Sequence, residues 1–452
     1  MGKDEQKAMK PLLIQAGHII DPSQGIDETG SLLITKGKIA WLGRGEAVPP
    51  HPDYDILPAH GLIVCPGLID LHCHLRQPGF DEKETIATGT RAAARGGFTT
   101  ICCMPNTNPP LDNQATIEYV KSKTTTEGVV RVLPIGCISR GRKGQELADM
   151  AELVSAGVIG FSDDGDPAAN SLLMRQALNF SRDVDLPIID HCEDKALTEG
   201  GQMNEGIIST RLGLRGMPAA AEEIIVYRDL ALGQLTGGQL HIAHVSTEGS
   251  VELIRRAKEK GIRVTAEVTP HHLTLTEEMV IGYDTNAKVN PPLRTSRDIQ
   301  ALVQGLKENV IDIIATDHAP HAEADKLNEF ALAPFGISGL ETALGSLMSL
   351  VHDGQLTLAD LISKLTCQPA RIIGNKYGKL GMLAIGAPAD VTIFAPDMDW
   401  VVDTAAFASK GKNTPLAGSR LKGKVIATIF HGKLVYKDDL ITELKGGEAS
   451  HT

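Results

Sequence analysis

The stretch 68-LIDLHCHLRQPG-79 sets His72 and His74 two positions apart at the end of an apolar run, with Arg76 two positions further on. Alternate residues of a strand share a face, so both imidazoles are expected to point one way and Cys73 the other. Later apolar runs end in Asp163 and Asp164, in His191, in His244 and in Asp317. Imidazoles and carboxylates together are the ligand types of Zn2+ and similar divalent ions. Four histidines and two aspartates exceed one tetrahedral site. The simplest expectation is two ions roughly 3.5–4 Å apart with a bridging hydroxide. One His or Asp at a strand end is more often a core or capping residue, and a motif alone is a hypothesis; the reading rests on the whole set recurring in order. His241 lies three residues before His244, faces the other way and is read as structural. His271 and His272 are read as support for the ligands rather than ligands, and His318, beside Asp317, as structural or supporting. His18, His51, His60, His352, His431 and His451 fall away from the run ends and receive no role.

Groups scattered this widely along a chain need a scaffold that returns each to one rim. Eight strand-like runs recur: LIDLHCH, FTTICCMP, VRVLPIGCIS, GVIGFSDDG, LPIIDHCED, QLHIAHVST, IRVTAEVTPHH and VIDIIATDHAP. Between them lie segments of helical periodicity such as KETIATGTRAAARGG and VELIRRAKEKG, which end in Gly. This alternation predicts a (β/α)8 TIM barrel over residues 66–376, whose catalytic groups stand at the C-terminal ends of its strands. Residues 11–50 and 389–436 read instead as short strands with turns. The two chain ends, 1–65 and 377–452, are expected to combine into one small β-sandwich domain.

The chain has 452 residues, long enough for this arrangement. Its net charge of −12 argues against a nucleic-acid or basic membrane-surface protein. An anionic substrate would therefore need a locally placed cation, and Arg76 fits that need. No apolar run is long enough to span a membrane, and the N-terminal segment lacks the apolar core of a signal peptide. Seven cysteines without CxxC spacing read as reduced, buried small hydrophobes in a cytoplasmic protein.

Taken as motifs, these stretches resemble the amidohydrolase superfamily and, within it, the dihydroorotase family. The resemblance is nearly full length. It runs through 66-PGLIDLHCHLRQPG-79, 83-KETIATGTRAAARGGFTTICCMPNTNPP-110, 161-FSDDG-165, 189-IDHCED-194, 241-HIAHVST-247, 269-TPHHL-273, 289-VNPPLR-294, 315-ATDHAPH-321 and 333-APFGISGLET-342. HLR-x-PG and MPNT-x-P are its specific parts. It implies that His72, His74, Asp164, His191, His244 and Asp317 hold zinc, two ions per chain. It further implies that Arg76, Asn106 and His321 hold a substrate carboxylate, while Asn290 and the backbone of Pro334, Phe335 and Gly336 meet a pyrimidine ring. Many relatives bridge their metals with a carbamylated lysine. No lysine lies between Lys143 and Lys195 here, and Asp164 fills that slot, as in the bacterial dihydroorotase branch. This argues against a hydantoinase or allantoinase. Cys73 and Gln77 stand where Val and an acidic residue are more usual, and neither is a proposed ligand.

The implied chemistry is reversible hydrolysis of the cyclic amide of L-dihydroorotate to N-carbamoyl-L-aspartate, the third step of pyrimidine (UMP) biosynthesis. A metal lowers the pKa of bound water from about 15.7 to roughly 7, yielding a nucleophile for the amide carbonyl. Asp317 would take its proton and pass it to the leaving nitrogen. The segment 320-PHAEADKLNEFALAPFG-336 is expected to close over the substrate. A homodimer and association with aspartate transcarbamoylase are expectations of the same resemblance. A non-catalytic homologue serving only as a partner of that enzyme would be expected to lose ligands, and this chain keeps six.

Overall fold

The structure is a computed structural model and describes residues 10–45, 47, 49 and 53–439; His51 and His451 lie outside the described residues. The barrel is built from parallel strands in the predicted order: Leu68–Cys73, Phe98–Cys103, Arg131–Pro134, the single bridging residue Phe161, Ile188–Asp190, Leu240–Ile242, Val264–Val268 and Ile313–Ile314. Phe161 pairs with both Gly136 and Ile188, joining the two halves. A bridge from Cys73 to His318 closes the ring. Closure removes the exposed sheet edges that would otherwise invite pairing with another chain.

The fourth strand is short, yet backbone bonds hold it on both sides, from Ser162 N–H to the Gly136 carbonyl at 2.8 Å and from Phe161 N–H to the Pro187 carbonyl at 3.0 Å, and a side chain beyond it adds to them. Asp163 Oδ1 accepts the backbone N–H groups of Ile138 and Ser139 at 3.0 and 3.1 Å. These bonds fasten the loop after the third strand and leave Asp164 alone to face inward.

Ile69, Leu71, Cys102, Met104, Leu133, Ile135, Ile159, Ile189, Ala243 and Ile313 fill the barrel interior. On the first strand, Ile69 and Leu71 are therefore the inward pair, and strict alternation would send His72 and His74 outward. The pairing register shifts between Asp70 and Cys73, so the parity changes at that point. Cys73 then joins the layer between strands and helices, with Leu75 and Ile86.

The helices pack around the strands on apolar faces. Ile86–Arg95 begins at Thr85, which shares a capping box with Thr88, and it buries Ile86, Ala92, Ala93 and Ala94. Glu248–Glu259 is capped by Thr247. Both predicted helices are present, the second starting three residues earlier than its apolar pattern.

The chain ends meet as predicted. Among the described residues, Leu12–Asp21, Ile26–Thr35, Lys38–Arg44, Asp55–Pro58 and Ile63–Pro66 share one sheet with Val391–Val401, Arg420–Phe430 and Lys433–Lys437. Ile63–Pro66 is the seam, antiparallel to Val391–Phe394 and parallel to His18–Ile19. The sheet folds around a core of its own that includes Ile14, Ile19, Leu32, Ile393 and Ile429. The first barrel strand follows the seam directly. All seven cysteines are free and buried, and no described helix is long and apolar enough to cross a membrane.

Candidate metal centre

The first barrel strand delivers His72 and His74 to the rim, and the loop after the fourth delivers Asp164. Beyond the fifth and sixth strands come His191 and His244, and beyond the eighth comes Asp317. All are almost fully buried. Asp164 is their meeting point. Its Oδ1 lies 3.4 Å from His72 Nε2, 3.5 Å from His244 Nε2 and 3.7 Å from His191 Nδ1, and its Oδ2 lies 3.4 Å from His74 Nε2. Asp317 Oδ1 adds 3.0 Å to His74 Nε2 and 3.5 Å to His72 Nε2. His244 and Asp317 reach their places with φ of 32° and 44°, and Arg76 with 61°. Left-handed backbone at non-glycine residues is strained and gathers where the surroundings dictate geometry.

Outer contacts fix which ring nitrogen each histidine presents. His72 Nδ1 lies 2.6 Å from Glu267 Oε1, and His74 Nδ1 lies 2.8 Å from Asn106 Oδ1. Both rings thus turn Nε2 inward. His191 is reversed, its Nε2 lying 3.1 Å from Glu193 Oε2 and its Nδ1 facing His244 and Asp164. Such carboxylate-to-imidazole bonds orient metal ligands. Burial opposes charge on His72, but Asp164, Glu267 and Asp317 hold its pKa well above the ordinary value. Burial would raise the pKa of Asp164, yet His72 and the neighbouring imidazoles bring it well below the carboxylate range.

His72 Nε2 and Asp164 Oδ1 are buried and have no hydrogen-bond partner. A buried polar atom without a partner is costly. Here two such atoms point into one cluster of imidazoles and carboxylates, and His72–Asp164–His244 and His72–His74–Asp317 each group closely enough to share an ion. The donor set therefore fits a divalent metal.

Above this centre opens a cavity of about 600 Å³. Arg76, Asn106, Asn290, His321, Phe335 and Gly336 line it, together with the ligand residues apart from His72, which sits beneath. Pro334 is set back from this surface, its carbonyl accepting a bond from Lys326 Nζ at 2.7 Å. Arg76 donates through Nε to the Pro320 carbonyl at 3.2 Å and forms no ion pair among the described residues, so the structural salt bridge that would compete with substrate is not present. Burial lowers the Arg76 pKa to about 10 and leaves it charged at neutral pH. His321 donates through Nε2 to the Phe335 carbonyl at 2.8 Å; its Nδ1 has no hydrogen-bond partner. Burial, with Arg76 and Lys326 nearby, lowers its pKa to about 2. Gly336 has φ of +144°, and a Cβ there would lie 2.7 Å from the Ala319 carbonyl oxygen, so the turn admits only glycine.

The histidines set aside by the sequence fall elsewhere. His241 reaches the centre at one remove, through Glu267 Oε2 at 3.1 Å. His272 bonds to Thr269 and to the Pro291 carbonyl, and His318 to Glu84 and the Gly339 N–H. Three contributors escaped the sequence reading: Glu193, Lys195 and Glu267. Glu193 repeats the two-residue spacing of His72 and His74, and its Oε2 lies 2.8 Å from Lys195 Nζ. Glu267 is the lone acidic residue of a buried strand, which was signal enough.

Ligand-type side chains gathered from separate strands at the mouth of a closed barrel form a candidate metal centre, an arrangement that a hydrolase of the TIM-barrel class can use. Residues 61–250 match the family model described as Dihydro-orotase-like. A dihydroorotase of Pelotomaculum thermopropionicum is 53% identical over 431 residues, covering 95% of this chain and 99% of its own. One from Thermoanaerobacter sp. (strain X514) is 51% identical over 433 residues, covering 96% and 99%. The chain belongs to the dihydroorotase family. Among solved structures, L-hydantoinase (dihydropyrimidinase) from Arthrobacter aurescens shares the fold with a TM-score of 0.84 at 23% identity, over 95% of this chain and 96% of that one.

Proposed function

We propose that this chain interconverts L-dihydroorotate and N-carbamoyl-L-aspartate, with two zinc ions held by His72, His74, Asp164, His191, His244 and Asp317. The observation that carries the reading is Asp164, set among four imidazole nitrogens beneath an unpaired Arg76. With Oδ1 near His72, His191 and His244 and Oδ2 near His74, Asp164 would be placed to help hold the metal together with all four histidines. When bound, the metal supplies Lewis acidity, lowering the pKa of water and polarising the amide carbonyl.

The protein's own residues do the rest. Arg76 presents a fork of donors to the substrate carboxylate. Asn106 accepts from His74 through Oδ1, which leaves its amide NH2 for the same carboxylate. His321 has its Nε2–H committed to Phe335 and, with its pKa lowered to about 2, is neutral at working pH, so its Nδ1 is an acceptor and the ring borders the substrate while Arg76 and Asn106 donate to the carboxylate. Asn290, bonded to Glu193 at 3.2 Å, and the backbone of Phe335 and Gly336 border the pyrimidine ring, with Pro334 set back behind them. Asp317 accepts the proton of the attacking water and delivers it to the ring nitrogen as the C–N bond breaks. In the reverse direction it deprotonates the attacking nitrogen. The segment 320–336 covers the substrate during these steps. We take residues 1–65 and 377–452 as one domain and 66–376 as the catalytic one.

The deciding experiment pairs the metal content of the purified chain with ring opening of L-dihydroorotate, followed by loss of its ultraviolet absorbance. Zinc with turnover supports the reading. Zinc without turnover redirects it to hydantoin or allantoin as substrate. No metal and no turnover after zinc is restored would favour a non-catalytic partner of aspartate transcarbamoylase. Light scattering of the chain, alone and mixed with that enzyme, tests the homodimer and the association. A cytoplasmic location accords with the reduced cysteines.

A further inference from the structure

Two lysines behind the cavity wall are buried without a carboxylate in ion-pair range among the described residues. Lys288 is 3% and Lys326 8% exposed. Their ammonium groups are surrounded by backbone carbonyls. Lys326 Nζ donates to Thr285 at 2.9 Å, to Pro334 at 2.7 Å and to Lys288 at 3.4 Å. Three acceptors match the three N–H bonds that only the protonated amine has. Lys288 Nζ donates to Phe330 at 2.7 Å and Ala331 at 3.1 Å, and lies 4.7 Å from the centre of the Phe335 ring. A return bond from the Gly336 N–H to the Lys288 carbonyl, at 2.9 Å, completes the link.

We propose that Lys326 and Lys288 are positioning residues for substrate binding: together they clasp the Pro334–Gly336 turn to the 285–290 loop, setting Phe335, His321 and Asn290 at the cavity. The amines make these links across 38 to 43 residues of chain, in addition to the Gly336–Lys288 backbone bond. Phe335 is gripped on its ring by Lys288 and on its carbonyl by His321, so a shift of the turn moves both groups that line the cavity. Burying an ammonium without a counter-charge is unfavourable. A fold that keeps two of them within one wall of its substrate cavity departs from the rule where departures mark function. Arg76 supplies the positive charge of the cavity lining, which suits an anionic substrate on a chain of net charge −12, while burial lowers the amines of Lys326 and Lys288 to about 7 and about 8. This inference rests on the assignment of His321 and Asn290 to substrate.

The test is Lys326→Met, with Lys288→Met as a second variant and Lys326→Arg as the conservative one, each assayed for KM and kcat with zinc restored. Hydrogen exchange of the peptide spanning 330–336 is followed by mass spectrometry. The methionine variants should raise KM about tenfold while kcat changes by less than about threefold, the pattern of lost binding rather than lost chemistry. Exchange in 330–336 should quicken, and Lys326→Arg should recover most of the KM. A KM within about twofold of the parent, or a loss confined to kcat, overturns the proposal. His321→Ala separates the two readings. If it raises KM while Lys326→Met does not, the lysine clasp alone is wrong; if neither raises KM, both fall.

Discussion

At the scale of single residues, the centre divides into groups that hold and groups that react. Asp317 is given both tasks. Asp317→Asn keeps an oxygen ligand but loses the base, so metal should largely remain while kcat falls by about two to four orders of magnitude; metal analysis beside single-turnover rates checks this. Arg76 has no ion pair to lose, only its bond to the Pro320 carbonyl, so Arg76→Ala should act chiefly on substrate. We expect KM for dihydroorotate to rise with bound metal unchanged, and unaltered kinetic constants would remove the carboxylate assignment. Glu267 binds no substrate but holds His72 and His241 together, and its own pKa lies near 2 because the favourable contacts to those rings outweigh its burial. Glu267→Ala should weaken zinc binding about 10–100-fold, read by competition with a chelator.

At the scale of elements, the loop after the eighth strand combines fixed and free parts. His321 N–H is bonded to Asn413, and Lys326 and Gly336 are tied down as described, yet Leu327 and Leu332 are 78% and 72% exposed. A segment anchored at both ends with apolar groups turned to solvent suits a cover over the cavity mouth. Shortening it between residues 327 and 332 should lower turnover and leave zinc in place. Unchanged turnover would reduce it to an ordinary solvated connection.

At the scale of the whole molecule, Glu84 joins the barrel to the C-terminal segment. It accepts from Ser409 Oγ and the Lys410 N–H on one side, and meets Thr88 Oγ1 and His318 Nε2 on the other. Burial would raise its pKa, but His318 and the hydroxyls bring the balance below the ordinary carboxylate value. A folded pKa below the unfolded one means stability that is full above the unfolded value, near 4.3, and is lost as pH falls through the folded value. Glu84→Gln should therefore cost about 1–3 kcal/mol at pH 7 and make the acid side of the stability profile shallower. Denaturant unfolding at stepped pH measures both.

Much of this was legible along the chain, because each element announces itself locally. Apolar runs punctuated by Gly gave the strand and helix order, and the His, Asp and Arg at the run ends marked the ligands and the substrate cation. What the chain alone could not convey arises between segments distant in sequence. The parity of the first strand is one case: Ile69, Leu71, His72 and His74 all serve the barrel interior only because the register slips against the second strand. The choice between Asp163 and Asp164 is another. Motif likeness suggested Asp164, but the physical reason is that Asp163 is consumed by two N–H groups of the preceding loop. Glu193, Glu267 and the two buried lysines owe their roles to partners up to about 195 residues away. Local pattern determined which residues could do chemistry; packing across the barrel decided which atoms face one another, because hydrogen bonds and burial depend on neighbours in space.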